Sequence, residues 1–254
     1  MLCARKLPMA LNPDLCSILE WDSAFFGMTI ARVNPNRLDA QTVAQVMDWC
    51  SQNKVICLYF LADSNHAETL RQAEKNGFYL TDIRVTYKHH LNGLEDRIAL
   101  GPDIRMAVPE DLPILRAMTN SSYRDSRFYY DGHFSQESCD RLYEIWIEKS
   151  LSGYAQAVLV KGTPDLPEGF VTCDTELPEA KGKIGLVGVS RNARGHGAGQ
   201  ALVQASLHWF AQQEMKSVQV VTQGRNIPAQ RLYQKCGFLT EEVRFWYHCW
   251  FGEK

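Results

Sequence analysis

The chain has 254 residues, 45% of them apolar and 22% charged, with a formal net charge of −2. That is enough apolar material for two cores of about 100–150 residues each. The near-neutral charge, with Lys and Arg scattered, excludes the basic stripe of a nucleic-acid or anionic-membrane binder, and no apolar run approaches the ~18 residues of a membrane span.

In chain order, Met1 to Leu15 is broken by Pro8 and Pro13 and lacks the apolar core of a secretory signal. Trp21 to Gly27, WDSAFFG, is an aromatic cluster around one acid, readable as an edge-strand core piece or as a ligand contact. Val55 to Leu61 reads as a strand, followed by a polar turn, a helix, Gly77-Phe78 and a strand ending near Tyr87. Leu91 to Asp103 has two Gly, a Pro and no periodicity, the pattern of a linker between domains spanning 1–95 and 103–254. Beyond it, Ile104 to Val108 reads as a short strand and Asp111 as the N-cap of a helix carrying Leu112, Leu115 and Met118. Cys139 to Ser150 has helical spacing. Tyr154 to Val160 and Gly169 to Asp174 read as strands around a Pro-rich hairpin loop, and Ile184 to Val189 as a third strand. Helix Gly199 to Gln213, strand Val218 to Thr222, helix Pro228 to Lys235 and strand Val243 to Trp250 complete the chain. The expected class is α/β of the α+β kind: a mixed central sheet flanked by helices, with a smaller N-terminal α/β domain. That domain looks like a degenerate copy of the C-terminal strand–helix–strand unit, because Gly77-Phe78 and Gly237-Phe238 lie 160 residues apart. The first copy has Ala73 where the second has Tyr233.

Eight cysteines, at 3, 16, 50, 57, 139, 173, 236 and 249, form no closely spaced pair and lie mostly in apolar runs. They read as buried reduced thiols, with no metal site and a cytoplasmic location.

The sharpest chemical signal is Val187 to Gly199, VGVSRNARGHGAG. A strand runs into a loop with three glycines, and a helix opens behind it. Uncovered backbone N–H groups and the helix start then form an anion site suited to a pyrophosphate. A dinucleotide-binding loop has different glycine spacing and stands early in a βαβ unit, and a triphosphate loop needs Gly-Lys-Ser/Thr, whereas Gln200 follows Gly199. The companion segment, VQVVTQGRNIPAQRLYQKCGF from Val218, is a strand, a polar turn with Asn226 as cap, and a helix. The small Ala229 and Tyr233 share one face of that helix.

These two segments, with Ile104-Arg105-Met106-Ala107 and Asp111-Leu112, resemble the GNAT superfamily of acyl-CoA transferases over about residues 104–250. The resemblance implies an acetyl-CoA-dependent N-acetyltransferase. It implies a cofactor site lined by Leu186, Val187, Val189, Arg194, Gly195, His196, Gly197, Ala198, Gly199, Asn226 and Ala229, and a catalytic Tyr233 that protonates the departing sulfur. A phenol of pKa about 10 beside a thiol of pKa about 8.5 suits that task, and a backbone N–H around Val189 is the candidate oxyanion donor. No acid stands on the strand ahead of the glycine loop. The general base is open among Glu176, Asp174, His133 and a water chain. The full-length layout, including the N-terminal domain, is similar to that of N-acetyltransferases of nucleotide-linked 4-amino-4,6-dideoxy sugars. It implies substrate contacts at Phe25, Phe26, Arg127, Phe128, Tyr130, Thr222 and Gln223; aromatic faces suit a thymine or deoxysugar and Arg127 a diphosphate. The expected partner is a small-molecule amine, with neither nucleic acid nor membrane, and with a homodimer left open. Another amine as acceptor, or acyl-CoA binding without catalysis, remain as alternatives.

Overall fold

A computed structural model describes residues 15–91, 101, 103–120 and 122–252, divided into two compact units. The first comprises residues up to Asp82 together with Arg244 onward, and the second Ile83–Val243. The division thus falls inside two strands, β4 (Tyr79–His90) and β10 (Leu239–Trp250), and not in the 91–103 stretch where the punctuation of the sequence suggests it.

In the first unit, β1 (Cys16–Ile18), β2 (Ile30–Val33) and β3 (Cys57–Asp63) are joined by the Arg244–Trp250 half of β10, in the order β1-β2-β3-β10. Only β2 and β3 run parallel. The continuous apolar run of β3 is buried on both faces, as a central strand requires. Leu58, Phe60 and Ala62 pack with Val43, Val46 and Cys50 of α2 (Ala40–Gln52), Ala73 of α3 (Ala67–Lys75), and Tyr247. On the same strand Tyr59 stacks on His248, ring centroids 4.5 Å apart. WDSAFFG, for which an edge-strand piece is one of two readings, is a short helix, α1 (Glu20–Phe26), stopped by Gly27 at φ 68°.

In the second unit the order is β4-β9-β8-β7-β6-β5, with β5 Ile104–Met106, β6 Ala157–Thr163, β7 Leu166–Glu176, β8 Lys181–Val189 and β9 Ser217–Gln223. The β8–β9 pairing is parallel and the others antiparallel. Leu202, Val203, Leu207 and Phe210 of α7 (Ala198–Gln212) and Tyr233 of α8 (Ile227–Lys235) form one core with Val171, Cys173, Ile184, Val218 and Val220. α4 (Leu112–Thr119) packs against β7, β8 and α6 (Gln136–Lys149). Asp111 does not cap α4 through its side chain. Its carboxylate instead takes both Arg105 guanidinium nitrogens at 2.7 Å and the Val108 N–H at 2.8 Å, tying the helix start to β5.

The two strand–helix–strand copies match element for element. Strands β3 and β9 have 7 residues each, α3 and α8 have 9, and β4 and β10 have 12. Gly77 and Gly237 stop the two helices at φ 82° and 85°. The closing strand of each copy pairs with the opening strand of the other: Arg84–His90 with β9, and Arg244–Trp250 with β3.

Candidate active site

The site is built where β8 and β9 stop pairing. Their parallel register ends at Ile184↔Val220, although β8 continues to Val189 and β9 to Gln223. The β7–β8 register slips by one residue between Val171↔Val187 and Cys173↔Ile184, a bulge at which Leu186 N–H leaves the ladder to bond Thr172 Oγ1 at 2.8 Å. Beyond it, Ser190 N–H donates to Glu168 O at 2.8 Å. The antiparallel alternation counted back from that pair turns the backbone of Val187 and Val189 away from β7, toward the side where β9 has departed. The N–H groups of Val187 and Val189 are therefore donors at the edge of an opening, as an oxyanion needs.

β8 leads through a 3-10 turn, Arg191–Ala193, into the glycine loop. Gly195 and Gly197 have φ +82° and +87°, and nothing lies within 4 Å of a Cβ built on either. These left-handed conformations are the reason for glycine here. Gly197 begins α7 without a side-chain cap, and the first helical bond is Ala201 N–H to Gly197 O. The N–H groups of Ala198, Gly199 and Gln200 are thus without intrahelical acceptors at the positive end of a fifteen-residue helix. This uncovered cradle fits a pyrophosphate. Arg194 braces it, with Nε on Val189 O at 3.2 Å and Nη2 on Ser122 Oγ at 3.3 Å; His196 is the exposed residue between the two glycines.

Across the opening, Asn226 Oδ1 caps α8 through Ala229 N–H at 3.1 Å. The β9–α8 turn is fixed by Gln230, whose side-chain amide donates to the carbonyls of Gln223 and Gly224 at 3.1 and 2.8 Å and accepts from Tyr87 Oη at 3.3 Å. Gly224 is needed because a Cβ there meets Ile83 at 2.8 Å. The Tyr233 ring is 5% exposed, tilted between Tyr87 and Phe238 with centroids 6.0 and 5.9 Å away. Burial, with Cys236 adding a smaller push, raises its phenol above the usual range, so it stays protonated.

The three base candidates differ in setting. Glu176 is engaged by Lys181 at 2.5 Å and by Lys183, and His133 Nδ1 lies 2.9 Å from Asp131. Asp174 is set apart: burial raises its carboxyl above the ordinary value, against a backbone hydrogen bond at Gln156 and the Lys183 charge. Its Oδ2 is 3.7 Å from where Gly185 would carry a Cβ, at the β8 bulge.

The expected substrate contacts separate. Phe25 and Phe26 lie on α1 of the first unit, Phe25 stacked on Trp21 at 5.1 Å and edge-on to Phe26 at 4.7 Å. In the second unit, Arg127, Phe128 and Tyr130 lie on α5 (Arg127–Asp131). Phe128 is 5% exposed and packs edge-on to Phe134 at 5.6 Å, so its ring is occupied by a neighbouring aromatic; Arg127 lies over that ring at 4.2 Å. Tyr130 is 58% exposed and lies under the Arg225 guanidinium at 3.7 Å, which brings it to the β9–α8 turn. Thr222 is buried and Gln223 partly buried at the end of β9. Sequence reasoning missed Gln230, Arg225, Ser122 and Tyr123. Gln230 and Arg225 were legible only as polar residues near the turn, and the other two lie in a loop without periodicity. Among the described residues no helix is long and apolar enough to cross a membrane, and no group of three or more His, Cys, Asp or Glu is placed to hold a metal.

Residues 113–238 match the acetyltransferase (GNAT) family. The chain is 27% identical over 231 residues to dTDP-fucosamine acetyltransferase of Escherichia coli O6:H1, covering 90% of this chain and 95% of that one. It is 24% identical over 146 residues to the spore coat polysaccharide biosynthesis protein SpsD of Bacillus subtilis, 58% of this chain and 50% of that one. A GCN5-related N-acetyltransferase from Sphaerobacter thermophilus shares the fold, with a TM-score of 0.64 at 15% identity over 92% of this chain and 75% of that one. With its splayed strands, uncovered helix start and family match, the chain carries an acetyltransferase domain of the GNAT family and is an N-acetyltransferase.

Proposed function

We propose that the protein transfers the acetyl group of acetyl-CoA to the amine of a nucleotide-linked amino sugar of the dTDP-4-amino-4,6-dideoxyhexose type. The observation that carries the substrate class is the likeness to dTDP-fucosamine acetyltransferase through 90% of the chain, the first unit included. A minimal acetyltransferase domain needs no such unit. The seven described cysteines are all free and buried, which supports a reducing, cytoplasmic setting.

Acetyl-CoA supplies the activated thioester. The α7 amides and the Gly195–Gly197 turn hold its diphosphate, and the backbone of Leu186, Val187 and Val189 lines the arm's path, facing Asn226 and Ala229. The Val187 and Val189 N–H groups stabilise the carbonyl oxygen as it gains charge. Asp174 accepts the amine proton; its raised carboxyl moves it toward the pH range where it is both ionised and basic. Tyr233 delivers its phenol proton to the leaving sulfur. The test is thiol release from acetyl-CoA with dTDP-4-amino sugars and control amines, including a peptide N-terminus. Turnover with the nucleotide sugars alone supports the reading, and preference for the peptide overturns the substrate class.

A further inference from the structure

The segment Ser122 to Ser126, between α4 and α5, is fastened at both ends of the opening. Toward β8, Ser122 Oγ accepts from Arg194 Nη2 at 3.3 Å, and toward β9, Asp125 O accepts from Arg225 Nη1 at 3.3 Å. Arg194 belongs to the cofactor loop and Arg225 to the β9–α8 turn, so the segment runs from the end of one splayed strand to the end of the other.

Arg225 is fixed from a second side. Its guanidinium lies 3.7 Å from the centroid of the Tyr130 ring on α5, and Tyr130 is 58% exposed. Stacking takes the flat face of a guanidinium and leaves the geometry of its N–H edge, which matches phosphate oxygens two at a time. A guanidinium held flat by a ring and aimed by a carbonyl is already ordered, so it loses little further freedom when an anion arrives.

The segment also leaves polar groups unmatched. Tyr123 Oη and Ser126 Oγ are shielded from solvent and have no hydrogen-bond partner among the described residues. Ser126 is 3% exposed and stands at the N-cap position of α5, yet its hydroxyl caps nothing. Native chains leave few such groups, and an ordered ligand or water is the ordinary source of the missing partner. Arg127, expected to meet a diphosphate, lies over the ring of Phe128, its neighbour on α5. Arg225 puts the same charge in the turn that borders the opening, across from the α7 amides.

We propose that Arg225 is a specificity-determining residue that reads the diphosphate of a nucleotide-linked acceptor, with Tyr130 holding its guanidinium flat and Asp125 O setting its direction. This rests on the nucleotide-sugar reading above. The arrangement keeps the acceptor diphosphate on the β9 side and the cofactor diphosphate on the β8 side, so that two like charges are received at separate strand ends.

The test compares acceptors with and without the diphosphate. Arg225→Gln raises KM for the dTDP-4-amino sugar at least about tenfold, the scale of a lost charge-assisted hydrogen bond. In the same variant, kcat/KM for the methyl glycoside of that amino sugar and the affinity for acetyl-CoA stay within about twofold of wild type. An arginine that only fastens the Ser122–Ser126 segment lowers kcat/KM for both acceptors alike, and that result, or an unchanged KM, overturns the proposal. Calorimetry on the unaltered protein gives a reading that no misfolded variant can obscure. With coenzyme A saturating, so that the α7 cradle is filled, dTDP binds at least about tenfold more tightly than thymidine; equal affinities overturn the proposal. Failure of the underlying reading is distinguishable, because it is decided by wild-type turnover of the nucleotide sugar.

Discussion

Tyr233 and Ala73 occupy the same position in two copies of one strand–helix–strand unit, 160 residues apart, at the seventh residue of α8 and of α3. Ala73 is fully buried in the first unit's core, whereas Tyr233 puts a phenol into the core of the second. Tyr87 and Tyr247 correspond in the same way, and their hydroxyls reach Gln230 and Glu74 respectively, from the helices of the opposite copies. One architecture is used twice, and only the second copy carries the glycine loop and the phenol.

The first prediction follows from that asymmetry. Tyr233→Phe keeps the ring packing but removes the proton donor. Steady-state kinetics should show kcat lowered at least about tenfold, within the range for general acid catalysis, with acetyl-CoA affinity near normal. Unchanged turnover removes Tyr233 from the mechanism.

Gly197→Asp puts a side chain at φ +87° and a carboxylate against the uncovered amides of α7. Calorimetry should show acetyl-CoA binding lost. Undiminished binding means the diphosphate is held elsewhere.

Asp174→Asn separates base from bystander. The wild-type activity should fall as pH drops through the raised carboxyl pKa, because the protonated acid accepts no proton. The variant should lose turnover at every pH and lose that acid limb. A pH–rate profile identical to wild type excludes Asp174 as base.

Asp111 gives a stability prediction of opposite character. The Arg105 guanidinium holds its carboxyl below the ordinary range, outweighing burial, with the Val108 N–H assisting. A folded-state pKa below the unfolded one gives stabilisation that is complete above the unfolded value near 4 and is lost as pH falls through the folded one. Asp111→Ala strands a partly buried guanidinium and should cost about 3 kcal/mol at neutral pH, shrinking in acid. Urea denaturation at pH 7 and pH 3 measures both; equal costs at the two pH values contradict the assignment.

Much of the second unit was legible in the sequence because its elements follow simple periods. Helix α7 begins at Ala198, one residue from the expected Gly199, and Asn226 caps α8 as its position predicts. The domain boundary was not legible. Residues 91–103 look like a linker, yet Arg84–His90 pairs with β9 and Arg244–Trp250 with β3, and such long-range pairing leaves no local trace. The same fact governs truncation: cutting before Asp103 removes a strand from beside β9, so the C-terminal piece should aggregate rather than retain activity. Substitutions at Phe25 and Phe26 are the sounder probe of the first unit. Asp111 stands at the N-cap position the sequence predicts, but its carboxylate binds the Arg105 guanidinium and the Val108 N–H rather than an α4 amide, and only Arg105's strand placement decides that partner.

The most direct measurement is a crystal structure with coenzyme A bound. The account predicts the diphosphate on the amides around Gly195–Gly199, the arm running beside Val187 and Val189, and the sulfur within hydrogen-bonding distance of the Tyr233 hydroxyl. Density for the diphosphate away from residues 194–199, or a sulfur remote from Tyr233, contradicts it.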